Sequence, residues 1–566
     1  MKLFTGLKKS FLLLTFFTAL IVRLVGNTSV PETPYWEEAA LGYDAYSIWK
    51  TGADHHGQNF PLAAFASFGD YKPSLYFYPT AISVGVFGLN TFAVRLSAAI
   101  ASALSVTLIA WIAQRWFGRR TAVWTALLAT LQPWSWHVGR LGFEVNLSVT
   151  LLLAGVLAID EAFTTDKKTW KWVWPIVAAA LFVLSMYAYH AARLVAPLAA
   201  ALIVLLRFHW KDYSSLPQQI MRWIPAGLVA AVLALPILLA MRTPIIQQRF
   251  KETSTLASSQ FAQEANDARA KAGGGPLARI FLNARTFLLR DAETRYLSHF
   301  SPSFLFLKGD HNPRHSSQYI GLLYPWEFVT ILAGLAYADL YRRRRSATWE
   351  LSALTLLAPL AASFTFATPH ALRALPLASF LSIWSALGIV AITDQVSKHL
   401  SRFFAVPKTQ SRLRIPEGFR LSLPPILAFG WFGVLFLSFS VLAFYMSTQY
   451  GPLTALEWQK GYKEIIQTLR KHQQPGETLQ MSRAYGRPAM YVWFYEKTDP
   501  HLVQAEDASA KKDQGEFLTF REWTFFDGQW LGGGLTAAPK ELLPEGRTIV
   551  KELPIGNGER TWVVYR

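Results

Sequence analysis

The sequence has no cysteine in 566 residues, which excludes disulfides, thiolate nucleophiles and cysteine-ligated metals. It is also poor in charge. Only 16% of residues are Asp, Glu, Lys or Arg, where a soluble domain carries about a quarter. Acidic residues are the scarcer sign, 37 against 55 Lys and Arg. No glycine run is followed by the Lys-Ser/Thr of a nucleotide-phosphate loop. Gly273-Gly274-Gly275 and Gly532-Gly533-Gly534 read as flexible links, which argues against nucleotide-driven transport. Neither Asp54-His55-His56 nor the segment 308–315 has a zinc-site spacing. These histidines read as loop hydrogen-bonding groups, so no metal or other cofactor is expected; a divalent ion has no support from ligand spacing.

What the chain has is apolar length. Hydrophobic residues make up 52% and gather in runs such as FLLLTFFTALIV, WPIVAAALFVLSMYAY and PPILAFGWFGVLFLSFSVLAF. About 20 apolar residues cross a bilayer as a helix, and the 21 Trp and 21 Tyr suit interfacial belts. The net charge of +18 sits in short links between these runs (RWFGRR, YRRRRS, KHLSRFFAVPKTQSRLR). That is the positive-inside pattern, whose partner is anionic lipid and not nucleic acid.

With Lys8 and Lys9 cytoplasmic, the charge rule predicts a mainly α, polytopic bundle of about eleven spans. They fall at about 10–26, 94–116, 120–137, 145–163, 173–189, 191–207, 222–241, 323–341, 348–367, 372–393 and 424–446. The first is expected to be an uncleaved helix, since no small-residue cleavage site follows it. The apolar stretch SLYFYPTAISVGVFG is read as an interfacial or re-entrant helix, because a further span there would put RWFGRR on the wrong side. A transmembrane module, 1–447, thus carries outer loops 27–93 and 242–322. A small extracytoplasmic α/β domain, 448–566, is expected from alternating helix-like and strand-like runs.

This topology gathers ionisable groups at the outer surface, where each one is costly unless paired or hydrated. Glu37 and Glu38 follow helix 1. One could remove a proton from a hydroxyl, or both could simply offset a helix dipole. Arg140 and Glu144 stand four apart near Asn146 and could pair with each other or meet a substrate. Tyr189, His190 and Arg193 form one tight outer turn, and His370 and Arg373 repeat the His-Arg spacing at another. Two such turns suggest a shared anionic ligand, for which arginine's forked donors are suited.

The order of these features resembles the GT-C integral-membrane glycosyltransferases. It is most similar to the protein O-mannosyltransferase and aminoarabinose transferase superfamily, glycosyltransferase family 39, of bacterial type. Trp36-Glu37-Glu38-Ala39 stands where the family has an acidic Asp-Glu motif. Lys72-Pro73-Ser74-Leu75-Tyr76 and Arg95-Leu96 follow, then Arg140, Glu144 and Asn146. Further matches are Tyr189-His190 with Arg193, the segment 297–302 with His299, the segment 308–315 with Arg314, and Pro369-His370-Ala371-Leu372-Arg373. The resemblance covers most of residues 10–395. The first acidic position departs from the family, being Glu where Asp is usual, so which of Glu37 and Glu38 acts as base stays open.

The resemblance implies an inverting transferase in the bacterial cytoplasmic membrane, with its site and C-terminal domain extracytoplasmic. Its sugar would come from a polyprenyl-phosphate donor and pass to an acceptor hydroxyl on protein, lipid or glycan. Catalytic roles would fall to Glu37, Glu38 and Glu144. Donor or substrate binding would fall to Lys72, Arg140, Asn146, Tyr189, His190, Arg193, His299, Arg314, His370 and Arg373. The alternatives are a transporter or flippase for lipid-linked glycans, and a ligase. Transporters place polar groups near mid-membrane and often carry internal repeats, and neither feature is visible.

Overall fold

The structure is a computed structural model that describes residues 2–67, 70–208, 216–243, 247, 252–338, 345–403, 423–513, 515–556, 558 and 560–566. Ten helices in chain order build the first half: α1 (Lys2–Leu24), α2 (Trp36–Thr51), α3 (Phe77–Phe87), α4 (Thr91–Phe117), α5 (Arg119–Leu131), α6 (Pro133–Gly139), α7 (Val145–Thr164), α8 (Trp170–Ala188), α9 (Ala192–Arg207) and α10 (Leu216–Ala240). A two-stranded hairpin, β1 (Ala64–Ser67) and β2 (Asp70–Pro73), lies between α2 and α3 with Phe65 opposite Lys72.

Among the described residues, six helical stretches are long and apolar enough to cross a membrane. They are Thr91–Phe117, Val145–Thr164, Trp170–Ala188, Leu216–Ala240, Leu375–Leu400 and Pro424–Leu453. Other expected spans are helical but shorter or broken, and the breaks have local causes. The predicted 120–137 span divides at Gln132, where Pro133 starts α6 with a fixed φ and no N–H to donate. The predicted 348–367 span divides into Arg345–Leu357 and Leu360–Ser363 around Pro359. The predicted 323–341 span is the ten-residue helix Glu327–Ala336. At eleven residues α3 is too short to span, in keeping with its reading as an interfacial helix.

Lipid-facing surfaces stay apolar: Leu228 and Val232 of α10 are 64% and 70% exposed. Interior contacts use small residues, as bundles in lipid do. A Cβ on Gly388 would fall 1.7 Å from the Thr330 carbonyl oxygen, and one on Gly334 would fall 2.1 Å from that of Trp384. The helices Glu327–Ala336 and Leu375–Phe403 therefore touch backbone to backbone.

The C-terminal residues form a six-stranded mixed sheet in the order Thr519–Phe520, Trp523–Phe526, Leu479–Ser482, Leu535–Pro539, Arg560–Tyr565, Ile549–Ile555. Its core is continuous with α2, α3 and the start of α4: Tyr43, Phe77 and Val94 share one apolar cluster with Ile465, Trp493 and Trp562. Polar contacts fasten the same joint. The Tyr491 hydroxyl donates to the Pro34 carbonyl at 2.8 Å and the Tyr43 hydroxyl to that of Thr498 at 3.0 Å. Gln459 Oε1 accepts the Trp36 N–H at 3.2 Å. The sheet region thus grips the helix on which Glu37 and Glu38 ride.

Candidate active site

The first turn of α2 separates the two adjacent carboxylates. Glu38 is fully buried. It accepts both arms of Arg95, at 2.9 and 2.8 Å, the Gly142 N–H at 2.7 Å and the Tyr35 N–H at 3.3 Å. Arg95 also donates to the carbonyls of Asn27, Pro31 and Thr33. Glu38 is thus a cap and a hub joining α2, α4 and the turn before α7. The close approach requires glycine at 142, since a Cβ there would meet Glu38 at 3.0 Å.

Glu37 points the other way, into a recess lined with Tyr35, Leu41, Lys72, Phe77 and Glu144 among others. Its Oε1 accepts Lys72 Nζ at 2.7 Å and its Oε2 the Tyr35 hydroxyl at 3.0 Å. Burial would raise this carboxyl. The Lys72 charge and hydrogen bond, the Tyr35 bond and the Arg314 field outweigh it and hold the pKa at about 2. Burial works against the Lys72 ammonium, but Glu37 and Glu144 outweigh it and raise the lysine. The hairpin sets this contact, with Lys72 on β2 and the Tyr71 carbonyl tied to His190 Nε2 at 3.1 Å.

Glu144 precedes α7 and makes no ion pair among the described residues. Burial raises its carboxyl, Lys72 offsets part of that, and Glu37 adds to it. Three arginines near the recess likewise have no carboxylate partner among the described residues. Arg314 lies over the rings of Tyr35 and Trp36 at 5.2 and 5.5 Å, a cation–π seat beside Glu37. Arg193 has a buried Nε without a partner. Among the described residues the Arg373 guanidinium donates to Thr365 Oγ1 at 2.7 Å and the Ala367 carbonyl at 3.4 Å.

The two His-Arg turns converge as their shared spacing suggested. The Tyr189 hydroxyl lies in the fields of Arg373, Glu144, Lys72 and Glu37, and burial raises it. Burial, with Arg193, Lys72 and Arg373, lowers His190 to about 3, so it is neutral and acts as a tether. His370 is likewise pushed well down by burial and Arg373.

Other expected binders face inward. Both Asn146 contacts run from Nδ2 to backbone, to the Val138 and Phe143 carbonyls at 3.0 Å each, so its place in the donor set becomes one in the turn. Arg140 does not pair with Glu144. It stacks on Trp136 at 4.7 Å and donates to the Val25 carbonyl at 3.2 Å, leaving its Nε orphaned. His299, fully buried and lowered to about 4 chiefly by burial, accepts the His370 N–H at 3.2 Å and holds that turn in place. Tyr35 and Arg95 were not marked as site residues by sequence. Tyr35 gave no signal beyond preceding the acidic pair, and Arg95 gave one only as part of Arg95-Leu96.

Comparison with known proteins follows this geometry. Residues 71–239 match the model of the dolichyl-phosphate-mannose-protein mannosyltransferase family. The fold is similar to ArnT from Cupriavidus metallidurans in its apo state, at 14% identity and TM-score 0.56, with 98% of each chain covered. The undecaprenyl phosphate-bound form of that protein gives 13% identity and TM-score 0.53 over the same shares. AglB, an archaeal oligosaccharyltransferase from Archaeoglobus fulgidus solved with an inhibitory peptide and a dolichol-phosphate, gives 14% identity and TM-score 0.50, covering 86% of this chain and 63% of that one. No curated protein sequence matches the chain. The family match over residues 71–239, the fold and the order of motifs agree: the chain has a GT-C fold.

Proposed function

We propose that the chain is an inverting glycosyltransferase that moves a sugar from a polyprenyl-phosphate donor to an acceptor hydroxyl at the outer face of a bacterial cytoplasmic membrane. The observation that carries this reading is one carboxylate, Glu37, facing a recess beside Lys72 with Arg314 in its field, while Arg193 and Arg373, without carboxylate partners among the described residues, act on the adjoining His190. Cations without carboxylate partners fit a phosphate, and a nearby carboxylate fits the hydroxyl that attacks. The C-terminal region belongs on the same outer side, and eleven spans, as the basic links predict, place it there. The lipid-linked ligands named for ArnT and AglB accord with a lipid donor here.

In this reaction the acceptor oxygen attacks the anomeric carbon and its proton passes to Glu37. The bond from that carbon to the phosphate oxygen breaks, and the lipid phosphate leaves with the electron pair. A phosphate is a weak base, so the leaving group needs charge stabilisation more than a proton. With a pKa of about 2, Glu37 is a poor base while Lys72 holds it. Donor phosphate competes for the same ammonium, and each step of Lys72 toward phosphate raises the basicity of Glu37. Donor binding thereby prepares the base. Glu144, unpaired on the opposite wall, is placed to accept a sugar or acceptor hydroxyl.

The test is transfer of a radiolabelled sugar from polyprenyl phosphate to membrane acceptors. Wild type is expected to transfer, and Glu37→Gln to lose about 10²–10⁴-fold while remaining folded. Full transfer by Glu37→Gln removes the base role. Movement of the labelled lipid across the membrane without transfer would favour the flippase reading.

A further inference from the structure

A second cavity, of about 230 Å³, lies at the opposite end of the bundle, and one water needs only about 10–15 Å³. It opens between the end of α7 and the starts of α8 and α10, where Phe163, Lys171, Gln218, Arg222 and Trp223 line it. Ala162 on its wall stands eighteen residues after Glu144, which puts the cavity about 27 Å along α7 from the recess.

The acidic groups at these helix ends are already engaged. Asp160 and Glu161 pair with Arg115, and Asp160 also pairs with Arg207, which holds Glu350. Among the described residues no ion pair reaches Lys171 or Arg222, and both are half-buried in the cavity wall. Exposed Asp166, on the link between α7 and α8, pairs with neither.

The surroundings are layered as a bilayer interface is. The Phe163 and Trp223 rings lie 5.8 Å apart beside the two cations, and Trp170 and Trp174 lie 5.5 Å apart at the start of α8. Aromatic rings gather in this way at headgroup level. Beyond Arg222 on α10, Ile224, Leu228, Val232 and Leu235 recur three or four apart, each more than half exposed. They make one apolar helix face that begins at the cavity.

We propose that this cavity binds the headgroup of one anionic glycerophospholipid. Lys171 and Arg222 would hold its phosphate, Gln218 its glycerol hydroxyls, and the apolar face of α10 its acyl chains. A basic pocket between membrane helices suits anionic headgroups. A zwitterionic lipid is disfavoured, because its ammonium would meet the same two cations. Arginine brings forked donors to the phosphate and lysine a compact charge. The lipid is held and not altered, so no bond forms or breaks. Only the assignment of this end to the cytoplasmic leaflet rests on the proposed orientation; the binding itself is independent of the transfer reading.

The experiment is native mass spectrometry of the purified full chain in neutral detergent, with phosphatidylglycerol or phosphatidylcholine of matched chains added. Wild type is expected to retain one more phosphatidylglycerol than the double variant Lys171→Gln, Arg222→Gln, whose binding should be weaker by about tenfold or more. The exposed-link variant Lys168→Gln should bind as wild type does. If the double variant fails to fold, rising salt on wild type carries the test, since it should release phosphatidylglycerol. Excess inorganic phosphate should leave the lipid bound; displacement would assign the site to free phosphate and overturn the proposal. Preference for a polyprenyl phosphate over phosphatidylglycerol would overturn it too, as would equal binding of the two phospholipids or binding unchanged in the double variant. Glu37→Gln should keep the phosphatidylglycerol, so failure of the transfer reading and failure of this site are told apart.

Discussion

Helix α7 starts beside Glu144 and carries Asp160 sixteen residues later, so the two carboxylates lie about 24 Å apart along one rod. Asp160 is fully engaged. It pairs with Arg115 from the last turn of α4, with Arg207 from the last turn of α9 at 2.7 Å, and accepts the Trp116 indole N–H at 3.3 Å. Arg207 also grips Glu350 at 2.9 and 2.6 Å, and Arg115 also grips Glu161. At the other end of these same helices, Glu144 and Arg193 have no ion-pair partner among the described residues. The far end closes its charges on itself and serves the bundle. The site end leaves charge unsatisfied, which is affordable only where a charged ligand or water completes it. Adjacent Glu37 and Glu38 differ within one turn: Glu38 is buried in the Arg95 hub, whereas Glu37 faces the recess and pairs with Lys72.

Substitutions can break this contrast. The largest expected effect is on transfer, the roughly 10²–10⁴-fold loss in Glu37→Gln with the protein still folded. Next is Arg207→Ala, which strands Glu350 and Asp160 in a buried setting and should destabilise by about 3–5 kcal/mol. Thermal unfolding in detergent checks it, and transfer per folded molecule should stay near wild type. Arg193→Ala should do the reverse, weakening donor binding by about 1.5–3 kcal/mol, roughly ten- to a hundred-fold, with unfolding unchanged; a KM series for the donor reads it. A large stability loss in Arg193→Ala would mean the site end is as self-contained as the far end.

The smallest effect is in pH. The Glu37 carboxyl is depressed in the folded protein, so its pairing with Lys72 stabilises fully above the unfolded carboxylate value near 4.3. That contribution is lost as pH falls toward about 2. In Lys72→Met this pH-dependent contribution should disappear, measured as a flatter dependence of unfolding stability on pH between about 4.3 and 2 than in wild type. If donor phosphate draws Lys72 away, the acid limb of kcat should also lie above that of kcat/KM. Coincident limbs would mean that Lys72 stays with Glu37 through turnover.

Much of this was legible in residues alone. Apolar length and the placement of Lys and Arg indicate a membrane bundle, because the bilayer imposes both on any chain that crosses it. The His-Arg spacing at 190–193 and 370–373 marked two turns that the fold does bring together. Roles within motifs were not legible. Glu37 and Glu38 are the same residue type one position apart, and only their directions from α2, toward Lys72 or toward Arg95, distinguish them. Arg140 and Asn146 had the right chemistry at the right surface, but local backbone carbonyls and Trp136 claim them. The contact of Asp310 and His315 with His370 has no sequence signal, since His370 comes from a turn more than fifty residues away. Composition and periodicity record which solvent each segment meets. Which charges meet one another is decided by tertiary packing, because partners close in space are far apart in the chain.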